Sequence, residues 1–205
     1  MEYVPAEEVL LLHALHFPVY TLGPGTRVGL WFQGCRRRCP GCITPESWDF
    51  APEKAIPLAE AVRRLRAFFE PSPRPDGLTI SGGEPFDQPE ALLGLLGSVR
   101  DLGVEDVLIY SGHRVQALSA RYPQLPELAA ALVDGPFEEG NLTDSVWKGS
   151  DNQSLTLWKE KFAPRYHAWT SGKKRRLQWV KSANGGLLVG IPRQEDVPRL
   201  KNPLC

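Results

Sequence analysis

Three of the four cysteines in this chain fall within one short loop, Gly34 to Cys42, read as G-C-R-R-R-C-P-G-C. Cys35, Cys39 and Cys42 are spaced C-x3-C-x2-C, and the fourth, Cys205, is the last residue. Clustered thiolates favour a soft or borderline metal. A structural zinc site closes with four ligands and usually pairs two C-x2-C knuckles. No second knuckle exists here, and His13, His16, His113 and His167 are scattered, with none placed as an obvious fourth ligand. A four-iron cluster held by three Cys leaves one iron open to an outside ligand, the same open position that separates catalytic metal sites from structural ones. The spacing therefore predicts an iron–sulfur loop with one open iron. A zinc loop, or a thiol trio without metal, is the bland alternative. Pro40 and Gly41 keep the loop from continuing as a helix, so its backbone can wrap a large inorganic core.

Positioning such a loop takes a core, and the chain is long enough to build one. Its 205 residues are 42% hydrophobic and 23% charged, ordinary for a globular protein. Lys+Arg and Asp+Glu both number 24, so there is no global basic signal for nucleic acid and no acidic signal for disorder. No apolar run approaches a membrane helix, and the acidic start M-E-Y-V-P-A-E-E is unlike a signal peptide. A cytoplasmic location is expected, where thiols stay reduced and clustered Cys read as metal ligands or catalytic groups.

The elements follow in order. Residues 1 to 16 read as a short helix or an irregular arm. Arg27 to Gln33 reads as a strand that delivers the chain into the cysteine loop, and Thr44 to Ala55 as irregular. Pro57 opens a helix carrying Leu58, Ala61, Val62, Leu65, Phe68 and Phe69 at helical spacing. Leu78 to Ile80 is a strand followed at once by S-G-G-E-P; Gln88 to Leu102 is a helix; Val104 to Tyr110 is a strand ending in Y-S-G-H. A short helix to Arg121 and a strand near Leu128 to Val133 complete the series. Strands alternating with helices predict a parallel α/β sheet with right-handed crossovers, whose site lies at the strands' C-terminal ends. The cysteine loop, S-G-G-E-P and Y-S-G-H all follow strands directly, so they should converge on one rim. Phe137 to Asn152 reads as loop, and Arg176 to Ile191 as a β-hairpin turning at Ser182 to Gly186.

The cysteine spacing, together with Gly82, Gly83, Glu84 and Pro85 after the second strand, resembles the radical S-adenosylmethionine (SAM) superfamily. The likeness sharpens toward the activating enzymes of glycyl-radical enzymes, above all the activator of anaerobic ribonucleotide reductase. It is carried by Gly23 to Arg27, Cys39 to Trp48, Ser81 to Gln88, Tyr110 to Gly112, Leu132 to Phe137 and Trp147 to Gln153. Beyond Gln153 the chain departs from that pattern. The resemblance implies an open partial (β/α) barrel of parallel strands over residues 1–153; residues 154–205, which it does not cover, read from their own pattern as a small C-terminal β-hairpin extension packed on it. It also implies roles. Cys35, Cys39 and Cys42 hold a 4Fe-4S cluster whose open iron takes SAM. Gly82, Gly83, Glu84 and Pro85 fix the SAM amino end. Tyr110, Ser111 and Gly112 lie along the adenosine, and Asp134 faces the ribose or the substrate backbone. Asn152 and Gln153 are weaker candidates for the same rim.

The implied reaction is reductive cleavage of SAM to methionine and a 5′-deoxyadenosyl radical. That radical takes hydrogen from a glycine of a partner glycyl-radical enzyme. A flavodoxin- or ferredoxin-like protein supplies the electron. Radical chemistry on a small molecule or peptide is the rival within the class; a non-catalytic iron–sulfur or zinc module is the rival outside it. Several features also have plain readings. His113 reads as structural or solvated, Asp134 as a turn former in D-G-P, and Lys173 to Arg176 as a solvated loop rather than a nucleic-acid patch. Arg36 to Arg38 would form a basic apron for an acidic electron donor.

Overall fold

The computed structural model describes residues 8–182 and 185–201. The chain begins with β1 (Val9–Val19), β2 (Arg27–Phe32) and β3 (Ala55–Pro57), followed by helix α1 (Leu58–Phe69) and β4 (Gly77–Gly82). Helix α2 (Pro89–Asp101), β5 (Val107–Ser111), helices α3 (Val115–Arg121) and α4 (Leu125–Leu128), and β6 (Ala131–Asp134) come next. The chain closes with β7 (Ser154–Leu157), α5 (Ala163–Thr170), β8 (Leu177–Ser182), β9 (Gly185–Gly190) and α6 (Val197–Lys201).

Seven strands form one mixed sheet in the order β3-β1-β2-β4-β5-β6-β7. Its centre, β2, β4, β5 and β6, is parallel, as the alternation of strands and helices predicts. β1 and β7 add antiparallel on either side of that centre, and β3 pairs antiparallel with β1. β8 and β9 make a separate two-stranded antiparallel sheet, the expected hairpin, while its turn at residues 183–184 lies outside the described residues.

Residues 9–16 correct the sequence reading. They are part of the 11-residue strand β1 rather than a helix or an arm; residues 1–7 lie outside the described residues. The run V-L-L-L has no clean period, and periodicity alone cannot tell a buried strand from a helix there. The open edge of β2 decides it, and register shifts between Leu12 and Ala14 and between His16 and Val19 accommodate the irregular sequence.

Alternation along the central strands sorts their side chains to two faces. Val28, Leu30 and Phe32 of β2, Val107 and Ile109 of β5 and Leu132 of β6 pack against α1, α2 and α3. Helix α1 buries Ala61, Leu65 and Phe69, one face of a helix, and turns Arg63, Arg64 and Arg66 to solvent. On the other face, Leu108, Ala131 and Val133 pack on Tyr166 of α5, while Val19, Leu22 and Trp31 pack on Val189 of the hairpin. The segment after β7 is therefore a layer over the second face, and it contains a helix that the sequence reading did not include.

Beneath the sheet, Arg27 is fully buried. It donates to Thr79 Oγ1 (2.7 Å), to the Leu78 and Asp106 carbonyls (2.7 and 2.9 Å) and to Asp106 Oδ1 (3.2 Å). Tyr166 and Arg165 reach the same carboxylate, at 2.8 and 3.2 Å. The G-P-G-T-R stretch thus ends in an arginine that ties β2, β4, the approach to β5 and α5 together.

Candidate active site

β2 runs straight into the cysteine loop, and the loop is closed at its base. Gly34 N–H donates to the Ser47 carbonyl and Cys35 N–H to the Trp48 carbonyl, both at 2.8 Å. The buried Gln33 side chain pins the returning arm, donating to the Glu46 carbonyl (3.1 Å) and the Asp49 carbonyl (2.7 Å), while its oxygen meets His13 Nδ1 at 2.8 Å. Cys35 is buried; Cys39 and Cys42 are half-buried. Burial pushes the Cys35 thiol up, opposed by hydrogen bonds from the Arg38 and Arg37 backbone N–H groups. Amide donors aimed at sulfur are among the levers by which a protein tunes an iron–sulfur cluster.

The S-G-G-E-P loop is docked against the base of the cysteine loop. Gly83 N–H donates to the Phe32 carbonyl (2.7 Å) and Glu84 N–H to the Gly34 carbonyl (2.9 Å). A Cβ on Gly83 would come within 2.7 Å of the Gly34 carbonyl carbon and 3.0 Å of the Ser47 oxygen. Only a residue without a side chain permits that approach.

Glu84 joins this loop to the one after β5. Its carboxylate accepts from Ser111 Oγ (2.8 Å), Gly112 N–H (2.7 Å) and Phe86 N–H (3.1 Å). Burial holds it above the usual carboxylate range, against the pull of those donors. All three donors are neutral, and among the described residues no cation pairs directly with the buried carboxylate. Tyr110 donates its phenol to the Trp147 carbonyl (3.1 Å), and burial raises its pKa, keeping it a neutral donor.

All three loops border one cavity of about 210 Å3. Cys35, Cys39 and Cys42 line it, as do Gly82, Gly83 and Glu84, and Tyr110, Ser111 and Gly112. Pro85 and Asp134 do not. Pro85 is buried at the start of a 3-10 turn. Asp134 is 2% exposed; its Oδ2 accepts the Val115 N–H at 3.1 Å, and its buried Oδ1 has no hydrogen-bond partner among the described residues. Gln153 lines the cavity while its amide ties Gly135 to the Gly149–Ser150 backbone; Asn152 instead donates to the Pro136 carbonyl.

Among the described residues no three His, Cys, Asp or Glu side chains converge as ligands of one metal ion. A cubane asks for a different arrangement: thiolates on separate irons around a shared space. Three thiols and glycine backbone lining one cavity, with amide donors at Cys35, fit that demand.

Two of the three arginines in the cysteine loop carry acid partners. Arg36 lies 3.7 Å from Asp87 and Arg38 2.5 Å from Asp49. Arg37 lines the cavity and stands 3.3 Å from His113 Nδ1. The sequence reading missed the cavity wall supplied by the C-terminal segment, and it missed Gln33 and Arg175. A lone Gln or Arg carries no sequence signal for such a role. Lys173, Lys174 and Arg176 are exposed, but Arg175 is half-buried and donates to four backbone carbonyls.

Residues 21–156 match the family described as "4Fe-4S single cluster domain". The chain is 29% identical over 144 residues to the anaerobic ribonucleoside-triphosphate reductase-activating protein of Escherichia coli K12, covering 67% of this chain and 93% of that one. Its Pasteurella multocida counterpart is 33% identical over 143 residues, covering 65% and 88%. The pyruvate formate-lyase-activating enzyme of Clostridium pasteurianum is 32% identical over 105 residues, covering 50% and 43%.

Proposed function

The chain belongs to the 4Fe-4S single cluster domain family and is a relative of the anaerobic ribonucleoside-triphosphate reductase-activating proteins, and from that premise we propose that its cavity is the site where SAM is split to start a glycyl radical on a partner protein. It is a radical SAM enzyme of the glycyl-radical-activating type, with a 4Fe-4S cluster and SAM as cofactors. The observation that carries the site assignment is the meeting of three thiols and two glycine-bearing loops on one cavity.

In this reading Cys35, Cys39 and Cys42 hold the cluster by their thiolates. When bound and reduced, the cluster supplies the electron that divides SAM into methionine and the 5′-deoxyadenosyl radical. The protein's part is placement and exclusion of water. Gly82 and Gly83 bring bare backbone to the ligand's amino end. Glu84, buried among neutral donors, offers the negative charge that an ammonium offsets. It also holds Ser111 and Gly112, so the second and third loops respond together when that charge is satisfied. Tyr110 to Gly112 form the edge along which the adenosine lies. Pro85 and Asp134 act behind the cavity wall, by shaping the turn after Glu84 and by receiving the Val115 N–H.

The protein substrate is a glycyl-radical enzyme. The electron donor is a small acidic protein of flavodoxin or ferredoxin type that docks on the Arg36–Arg38 side. Among the described residues no helix is long and apolar enough to cross a membrane, and the enzyme works in the cytoplasm. In this reading the parallel strands curve as a partial barrel around the cavity.

Anaerobic reconstitution with iron and sulfide, then dithionite and SAM, tests the reading. 5′-Deoxyadenosine is expected, and a glycyl signal by electron paramagnetic resonance once an anaerobic ribonucleotide reductase is added. An intact cluster that yields no 5′-deoxyadenosine would refute it. 5′-Deoxyadenosine without a glycyl signal would transfer the chemistry to another radical substrate.

A further inference from the structure

The cavity has a wall that the cysteine and glycine loops do not provide. Leu188, Gly190, Ile191, Pro192, Gln194 and Val197 line it together with the three thiols. All six lie beyond the segment matched by the family, residues 21–156. We propose that this C-terminal strap is the wall of the reaction chamber that shields the reacting centre, and that Arg175 is the positioning residue that holds it in place. The inference rests on the radical reading above.

The strap is anchored at two points. Arg175 donates to the Ile191 and Pro192 carbonyls at 3.1 and 3.2 Å. The same guanidinium donates to the Thr143 carbonyl at 2.7 Å and the Lys148 carbonyl at 3.5 Å. Nη1 faces the Lys148, Ile191 and Pro192 carbonyls, which share its two hydrogens, and Nη2 faces the Thr143 carbonyl, a spread that the planar guanidinium fork allows. One residue thereby fastens the strap to the 143–148 loop, whose Trp147 carbonyl also receives Tyr110. The second anchor is Gln194. Its Oε1 accepts the Gly140 N–H at 2.8 Å, and its Nε2 donates to the Glu138 carbonyl at 3.4 Å. The bend that starts the strap is built in at Gly190, whose φ of +128° is reserved for glycine, and Pro192 is buried.

The wall is chiefly aliphatic, whereas Gly82, Gly83 and Gly112 face the cavity from the loops. Bare glycine backbone and aliphatic side chains in one lining leave room for an extended substrate segment. They also keep out water and small hydrogen donors that would consume a carbon radical. Opening the strap should therefore uncouple SAM cleavage from the partner. In that side reaction dithionite supplies the electron and dithiothreitol the hydrogen atom, leaving methionine and 5′-deoxyadenosine.

The test uses the full chain with Arg175→Ala, Arg175→Lys and Gln194→Ala. The first readout needs no cluster. Loop thiols of the cluster-free protein are alkylated with iodoacetamide or with a bulky polyethylene-glycol maleimide, and peptide mapping separates Cys35, Cys39 and Cys42 from Cys205. Arg175→Ala should raise the bulky-to-small rate ratio at the loop thiols about tenfold, the equivalent of about 1.4 kcal/mol of strap closure. Arg175→Lys should fall between, and Gln194→Ala should move the same way by less. In the reconstituted enzyme, 5′-deoxyadenosine formed without partner should rise in the same order. Unchanged ratios in Arg175→Ala and Gln194→Ala, at wild-type thermal midpoints, would overturn the proposal. If Arg175→Ala does not fold, Gln194→Ala decides. A wild-type chain that cannot split SAM refutes the proposed function, whereas a competent wild type with unchanged variants refutes the strap alone.

Discussion

Adding one methyl group at Gly83 should separate the two loops that frame the cavity. The new Cβ would lie 2.7 Å from the Gly34 carbonyl carbon, closer still to its oxygen, and 3.0 Å from the Ser47 oxygen. Ordinary contact begins near 3.4 Å, so the carbonyl carbon alone demands a displacement of about 0.7 Å. Every atom in the way is backbone, so no rotamer can yield. Overpacking of this kind costs about 1–3 kcal/mol. The shift also strains the Gly83 N–H bond to Phe32 and the Glu84 N–H bond to Gly34, at 2.7 and 2.9 Å. Each is worth about 0.5–1.5 kcal/mol net. Gly83→Ala should therefore lose about 2–6 kcal/mol in urea unfolding of the cluster-free protein. It should also bind less iron per chain after reconstitution. Gly97→Ala is the internal control: it adds the same methyl group within α2, where nothing lies within 4 Å. It should gain about 0.5–1 kcal/mol from reduced chain entropy and better helix propensity. A Gly83→Ala protein within 0.5 kcal/mol of wild type, with full iron content, would refute the close-approach argument.

Three other outcomes can be checked. Arg27→Met leaves buried carbonyls and part of the Asp106 carboxylate without their donor, and should lower unfolding stability by about 3–5 kcal/mol; thermal denaturation showing a loss under 1 kcal/mol would contradict the network. Glu84 carries a raised folded pKa, so the native state holds that proton more tightly than the unfolded chain, and the group's contribution falls as pH rises above about 4.3. Relative to wild type, Glu84→Gln should gain stability with rising pH, and a flat or inverted difference across a pH series would show the sign to be wrong. Arg36→Glu with Arg38→Glu sets like charges beside Asp87 and Asp49. It should slow reduction by an acidic flavodoxin on the order of tenfold at low salt and flatten the salt dependence. An unchanged rate would remove the donor from that side.

Much of the site was legible because its signals are local. Three Cys in one loop, two glycines before Glu84 and a strand ending at Tyr110 each carry their meaning within a few residues. Their convergence follows from the parallel alternation, which sends every strand's C-terminal end to one rim. β1 was not legible, because an unbroken apolar run fits a helix or a strand until a neighbouring edge chooses. The surroundings of Asp134 were not legible for a related reason. Its position at the end of β6 puts it near the rim, but only packing shows that its Oδ2 accepts the Val115 N–H.

The sequence by itself determined the cysteine loop, the glycine-bearing loops, the α/β order and the family. Each depends on residue type at short spacing. Only the tertiary structure decided that Glu84 ties Ser111 and Gly112 to the glycine loop, that Arg27 is a buried tie beneath the sheet, and that residues between Leu188 and Val197 line the cavity. Those relations join positions tens to more than a hundred residues apart, and no local pattern encodes a contact that exists only once the sheet has brought its partners together.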